Sequence, residues 1–380
     1  MLKSIATALV TLAATLFVTM ELNFVQAAPP PGTPAPTLLD RQGNFFVGGT
    51  LNPNGRISGQ MYVEFQIPHA QKHKDPLVFI HGGGQIGSFW WNTPDGRPGW
   101  AQYFLRQGYA VYVVDVPARG RSAYNSQLGA LNDPTDVTTA QRLFAAPERY
   151  NIWPAAALHT QWVGPAVPGD PTFDQFMNAQ SDALADAFGG QEKLTANALI
   201  ALLNRIGPAI LVPHSQATFA TWIAIDQHPN LVKALVDLEG GGPPVRFGPP
   251  LVPQPGIPLP YGLTVNPITY SPPVSDPSQL QFAQAAINDR YVQSCLLQVE
   301  PARKLPNLQK VPILMLSSEA GYNTMWDPCT NAYLDQAGVT HTWIRLPDIG
   351  IHGNAHFDFI EANSDQVAGV VLGWLKLAGL

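Results

Sequence analysis

The chain of 380 residues is 46% hydrophobic and only 13% charged, with 37 prolines and 33 glycines, whereas average proteins carry about 25% charged residues and about 5% proline. Such a composition can bury a large core and its glycines follow no triplet period, which excludes a disordered polyelectrolyte and a collagen. The net charge of -6, without a Lys/Arg cluster, argues against a nucleic-acid or anionic-membrane surface and for small, weakly polar partners.

The chain opens on a targeting segment. Lys3 precedes an apolar run from Ile5 to Met20, and Val25-Gln26-Ala27 makes a small-residue site, the three-part layout of a secretory signal peptide, residues 1–27, with cleavage expected after Ala27. A spanning helix wants about 20 apolar residues, and this run is shorter, rich in Thr and Ala, and followed by Glu21. The mature protein is therefore expected to be secreted or periplasmic, with no membrane segment. Residues 28–39 read as an extended proline-rich leader outside the fold, and 40–380 as one domain. The two cysteines, Cys295 and Cys329, are expected to form a disulfide in an oxidising compartment, two buried thiols being the alternative. Oligomeric state is not fixed by the sequence; a homodimer is open to it.

From residue 40 onward, NFFVGGTL and GQMYVEFQIP (59–68) read as edge hairpin strands. The runs at 76–84, 109–117, 209–215, 233–241, 312–320 and 340–348 are short, apolar on both faces and end in Gly, Pro or polar residues. They predict a mostly parallel central sheet covered by helices. Helical patterns sit between several of them: WAQYFLRQG, EKLTANALIALLNRIG and QATFATWIAIDQHP, with DQVAGVVLGWLKLAG at the C-terminus. The order is βαβ repeated, an α/β fold. Two stretches interrupt it, an aromatic insertion at 119–190 and a proline-dense one at 242–278. Long loops of this kind are usually lids or binding loops, and the aromatics favour a cap over a pocket.

Pro213-His214-Ser215-Gln216-Ala217 joins a strand to a helical pattern. A serine on such a turn is the nucleophile elbow of α/β-hydrolases, where the N–H of the next residue, Gln216, can donate to an oxyanion. The match to GxSxG is incomplete, because Pro213 and Ala217 stand where glycines are usual, and Pro213 is tolerable only where the ladder is ending. Upstream, PLVFI runs into His81-Gly82-Gly83-Gly84, the layout for a second oxyanion donor. Downstream, GIHGNAHF (350–357) places His352 and His356 in a loop after the last strand, where the base of this fold belongs. Position favours His356. The pair also reads as HxxxH, but metal ligands at that spacing need a helix and the glycines argue for a loop, so no metal is expected. For the acid, Glu239, Glu319 and Asp327 are candidates, with the later two in the more familiar place.

Gly82-x-Gly84-x-x-Gly87 with Asp115 at the end of the next strand outlines a dinucleotide fingerprint. The prolines and glycines of SFWWNTPDGRPGW are expected to prevent a helix from opening there, which leaves no helix N-terminus for a pyrophosphate.

The blocks at 81–125, 144–162 (FAAPERYNIWPAAALHTQW), 213–217, 237–241 (DLEGG) and 350–357 together resemble the esterase 713-like branch of the α/β-hydrolases, over most of the mature chain and in order. The resemblance implies Ser215 as nucleophile, Glu239 as the acid against the positional expectation, His356 as base, and the N–H groups of Gly83 and Gln216 as oxyanion donors. Gly83 departs from relatives that carry a bulkier residue there. The activity implied is cofactor-free hydrolysis of a small, weakly polar ester through an acyl-enzyme; a lactonase or amide hydrolase on the same triad, or a catalytically silent hydrolase-fold binder, are the alternatives. Trp90, Trp91, Trp153, His159 and Trp162 are expected to line the pocket, with plain core as the competing assignment for the tryptophans.

Overall fold

The computed structural model describes residues 36–380. The chain divides into Met1–Pro36 and Thr37–Leu380, and the second unit is described here; the expected signal peptide and the expected leader up to residue 35 lie outside the described residues.

A hairpin comes first, β1 (Leu39–Leu51) and β2 (Ile57–Pro68), turned by Asn52–Gly55, where the Asn52 side chain accepts from the N–H groups of Asn54 and Arg56. Strand β1 begins one residue ahead of the expected domain start. The central strands are β3 (Leu77–Ile80), β4 (Val111–Asp115), β5 (Ala209–Pro213), β6 (Val232–Leu238), β7 (Ile313–Ser317) and β8 (Thr342–Arg345). They form one eight-stranded sheet in the order β1-β2-β4-β3-β5-β6-β7-β8. Strand β2 runs antiparallel to β1 and β4; every other pairing is parallel. This is the mostly parallel, helix-covered sheet of an α/β-hydrolase.

The doubly apolar strands serve two cores. Leu77, Phe79, Val111, Val113, Ile210 and Val212 face one, while the alternate residues Val78, Ile80, Val114 and Leu211 face the other, as the two-residue side-chain period of a strand requires. Helices α1 (Trp100–Gln107) and, at the chain end, α6 (Ser364–Leu377) close the first face through Trp100, Phe104, Val367 and Val371. Helices α3 (Gly190–Ile206), α4 (Ala217–Gln227) and α5 (Asp327–Gln336) close the second through Leu199, Leu202, Trp222 and Leu334. Nearly all of α4 is buried, which explains why its sequence lacks a polar stripe. Helix α2 (Pro171–Asn178) lies in the first insertion, started by the Asp170 side chain on the Phe173 N–H and by Pro171 in the first turn.

The sheet order reverses beside β3: the chain leaves it for β4 on one side and later returns to β5 on the other. The crevice beyond the C-terminal ends of β3 and β5 is the place where open α/β sheets take ligands. A single helical turn, Ser88–Trp91, does open after Gly87, contrary to the expectation from its prolines and glycines, because Phe89 and Trp90 are both buried and anchor it. Asp115 nevertheless accepts from the Gly87 N–H at 2.7 Å and from Arg121 Nε at 2.7 Å, so its carboxylate is already engaged within the fold.

Cys295, on a short ribbon pairing Phe282–Ala286 with Ser294–Gln298, is bonded to Cys329 in the first turn of α5, with Cα atoms 5.3 Å apart at a sequence separation of 34. Closing a loop of that size in the unfolded chain is worth about 4 kcal/mol. Serine at both positions is expected to lower the unfolding free energy by about that amount, read from urea titration; an unchanged midpoint would show that the bridge contributes nothing.

Candidate active site

Strand β5 ends at Pro213, the last pair in its register with Ile80. The missing N–H therefore falls where the ladder stops, and His214 N–H resumes it by donating to Ile80 O at 3.0 Å. Ser215 then adopts φ +54°, a left-handed conformation that costs a non-glycine residue roughly 1–2 kcal/mol. Its N–H donates to Leu238 O at 3.1 Å, and Thr218 N–H donates back to Ser215 O at 3.1 Å, so the strained turn is held between the end of β6 and the start of α4. The closest backbone approach comes from Gly82: a Cβ there would stand 2.8 Å from Ser215 Cβ. The glycine that the elbow pentapeptide lacks is thus supplied by the neighbouring strand end.

Glu239 follows β6, also at positive φ, +46°, and is fully buried. Its Oε1 accepts the Ser318 N–H at 2.6 Å and its Oε2 lies 3.3 Å from His356 Nδ1. Burial, with Asp327 and Asp358 nearby, pushes the Glu239 carboxyl well above its ordinary range. Burial, with His214 adding to it, holds His356 well below its ordinary value, so the imidazole is neutral at neutral pH. The other candidates sit elsewhere. Glu319 binds His352 Nδ1 at 3.0 Å and the Gly353 N–H at 2.8 Å, bracing the histidine loop. Asp327 is buried against Ser317 and Asn323, its carboxyl pushed up to about 7 by burial. His352 is exposed and faces away from His356's partners.

The two expected oxyanion groups share one cation. Arg119, almost fully buried, donates from Nη1 to Gly82 O at 2.8 Å and from Nη2 to Gln216 Oε1 at 2.9 Å. Gln216 Nε2 donates to Ala187 O at 2.9 Å. Burial draws the Arg119 pKa down to about 10, still charged at neutral pH. The Gly82–Gly83 peptide is therefore polarised at its carbonyl end, in the sense that strengthens the Gly83 N–H as a donor.

A cavity of about 260 Å³ opens on Ser215 and His356 and is walled by Phe144, Phe188, Phe219, Phe247, Tyr322 and Trp326, with Gly83, Arg119 and Gln216 at its floor. Phe144, from the first insertion, stacks on the His356 ring at 5.7 Å between centroids. None of the five side chains expected in the wall is there. Trp90 is core, stacked on Phe359 at 4.1 Å; Trp91 donates from Nε1 to Glu64 Oε2 at 3.2 Å; Trp162 meets Phe176 edge-on. Trp153 backs the wall, donating to Ala320 O at 2.9 Å and touching Tyr322. Trp90 and Trp91 precede the insertion, and Trp153 and Trp162 follow its Leu143-Phe144 segment, which reaches the opening while all four indoles pack in or against the core behind it. The wall residues that the sequence missed carry a weak signal at best: Phe219 and Trp326 lie in helical or turn patterns that read equally as core.

His159 takes a different part. It bridges Glu148 Oε2 at 3.0 Å and Glu361 Oε1 at 2.9 Å, and Glu361 in turn accepts from Asn354 Nδ2 at 2.8 Å and from the Ala355 N–H. The imidazole thus ties the insertion to the loop that carries His356. Burial opposes its charge, but Glu361 and Glu148 outweigh burial and hold its pKa up at about 9. A folded pKa above the unfolded value of about 6.5 gives stability that is fully present below about pH 6.5 and is lost as pH rises through about 9. The unfolding free energy is accordingly expected to decline over that window and the decline to flatten in His159→Gln, measured by denaturant titration at stepped pH; parallel curves for the two proteins would refute the bridge.

No family model matches the chain. A "Probable secreted lipase phiG" from Fungal sp. (strain ATCC 74256) is 40% identical over 335 residues, covering 87% of this chain and 88% of that one. Among solved structures, a novel bacterial esterase superposes with a TM-score of 0.58 at 24% identity, covering 92% of this chain and all of that one; this likeness concerns the fold. With the α/β-hydrolase sheet and the identity over nearly nine-tenths of both chains, the protein belongs to the same family as that secreted lipase.

Proposed function

We propose that this protein is a secreted serine esterase, akin to the esterase 713-like branch, that hydrolyses small, weakly polar carboxylic esters through an acyl-enzyme. One observation carries the reading: Ser215 and His356, from a strand end and a distant loop, open on one cavity, with Ser215 in a strained turn and the buried Glu239 behind the imidazole. Strain at a polar residue facing a cavity is typical of functional sites. Kinship with a protein named a secreted lipase supports both the ester chemistry and export, and the disulfide suits an oxidising compartment.

In this reading Ser215 Oγ attacks the ester carbonyl and its proton goes to His356. Glu239 orients the ring through Nδ1 and balances the imidazolium as it forms. The carbonyl oxygen, now negative, sits against the Gly83 and Gln216 N–H groups, with Arg119 holding the Gly82 carbonyl and the Gln216 side chain beside them. Collapse releases the alcohol, and water then enters by the same route to free the acid. A low-pKa, neutral His356 is ready to take a proton without first losing one.

An organophosphonate probe followed by peptide mapping is expected to label Ser215, and label found elsewhere would sink the proposal. Ser215→Ala and Glu239→Gln are expected to lower kcat by about 10⁴-fold or more, with Glu319→Gln costing less than about tenfold because it only braces the loop; equal losses at Glu239 and Glu319 would reject Glu239 as the acid. The cavity, about 260 Å³, falls just below the usual range of ligand sites, about 300 to 1,000 Å³. Butyrate esters of p-nitrophenol are therefore expected to exceed palmitate esters by at least about tenfold in kcat/KM, and a preference for palmitate would refute the small-ester assignment.

A further inference from the structure

The Tyr322 hydroxyl stands in the reaction centre with no role in the scheme above. Tyr322 opens a short turn, Tyr322–Met325, just beyond β7, and its ring is fixed between Trp153, Trp326 and the His356 imidazole, with centroids 5.9, 4.8 and 4.2 Å away. Its oxygen is 2.5 Å from His356 Nε2, the nitrogen that a serine would otherwise face. Ser215 lines the same cavity as Tyr322 and His356.

The direction of this chain of hydrogen bonds follows from the opposite side of the ring. In its triad role Glu239 is ionised and accepts through Oε2 from His356 Nδ1, so Nδ1 carries the proton and Nε2 presents a lone pair. Tyr322 must then donate to Nε2. Its oxygen is left to accept, and the Ser215 hydroxyl, on the same cavity wall, is the donor placed to meet it. We propose that Tyr322 is a catalytic residue that relays the proton between Ser215 and His356, an inference that rests on the serine-esterase reading.

In acylation the Ser215 Oγ–carbon bond forms and the carbonyl π pair moves onto oxygen. The Ser215 proton passes to Tyr322 Oη as the Tyr322 proton passes to Nε2, so the phenol is neutral before and after. On collapse the ester C–O bond breaks, and the imidazolium proton returns through Tyr322 to the departing alkoxide. Water repeats the sequence in deacylation. A phenol that keeps its proton count suits a site whose burial, with the Glu239 charge, opposes phenolate. The Tyr322 hydroxyl already occupies Nε2, the atom that direct transfer from Ser215 would use.

Tyr322→Phe keeps the ring and removes the hydroxyl alone. With p-nitrophenyl butyrate as substrate, kcat is expected to fall by about 10²-fold or more with KM within about threefold. The wild-type proton inventory, kcat against the D2O fraction, is expected to bow downward for two protons in flight, and in the variant to become linear. A variant kcat within threefold of wild type, or above it, overturns the relay. So does a linear wild-type inventory, which needs no variant to fold. Ser215→Ala and His356→Ala are run alongside: if both are inactive while Tyr322→Phe is not, the relay alone fails, whereas activity in Ser215→Ala removes the esterase reading and the relay with it.

Discussion

A carboxyl group with no exposed surface, Glu239, is the constraint around which this site is arranged. Burying such a group costs several kcal/mol unless partners meet its oxygens, and both partners come from other segments. Ser318 N–H, just after β7, meets Oε1, and His356, over a hundred residues downstream, meets Oε2. Gly321 is needed because a Cβ there would collide with Oε2. The same tight turn that places Glu239 frees Leu238 O to accept from Ser215, so the strand ends of β5, β6 and β7 are locked by one connected set of polar contacts.

Around that set the protein supports the histidine loop from two sides. Glu319 binds its start through His352 and Gly353, and the His159–Glu361 pair binds its far end through Asn354 and Ala355. His214 Nε2 adds a contact to His356 O at 2.8 Å. Such supports act on where the imidazole sits rather than on the chemistry, and a misplacement of about 1 Å at a reacting group can cost about 10²-fold in rate. The LHTQW block, read as pocket from its aromatic content, thus has its use in loop attachment: Thr160 and Gln161 also reach Gly353 O and His352 O.

The sheet was legible in the sequence because its strands are apolar on both faces, a pattern that only a doubly covered parallel strand needs. Helices α1, α3, α4 and α6 were legible for a similar reason. Helix α5, the small α2 and the ribbon that carries Cys295 were not, since Asp327-Pro328-Cys329 and Pro171 open short helices whose apolar residues are few and whose stability comes from what they pack on. The short helix after Gly87 was misjudged on the same ground: its glycines and prolines disfavour it locally, and two buried aromatics overrule them.

The sequence by itself determined the order of the parts: strand, HGGG, strand, HSQ, strand, LEGG and a late histidine loop, because each depends on residue type at a strand end. Only the tertiary structure decided which acid reaches His356, which aromatics wall the cavity, and that Tyr322 lies at Nε2. Those are distances between segments far apart in the chain, set by how two cores pack against one twisted sheet, and no local pattern of apolar and polar residues encodes them.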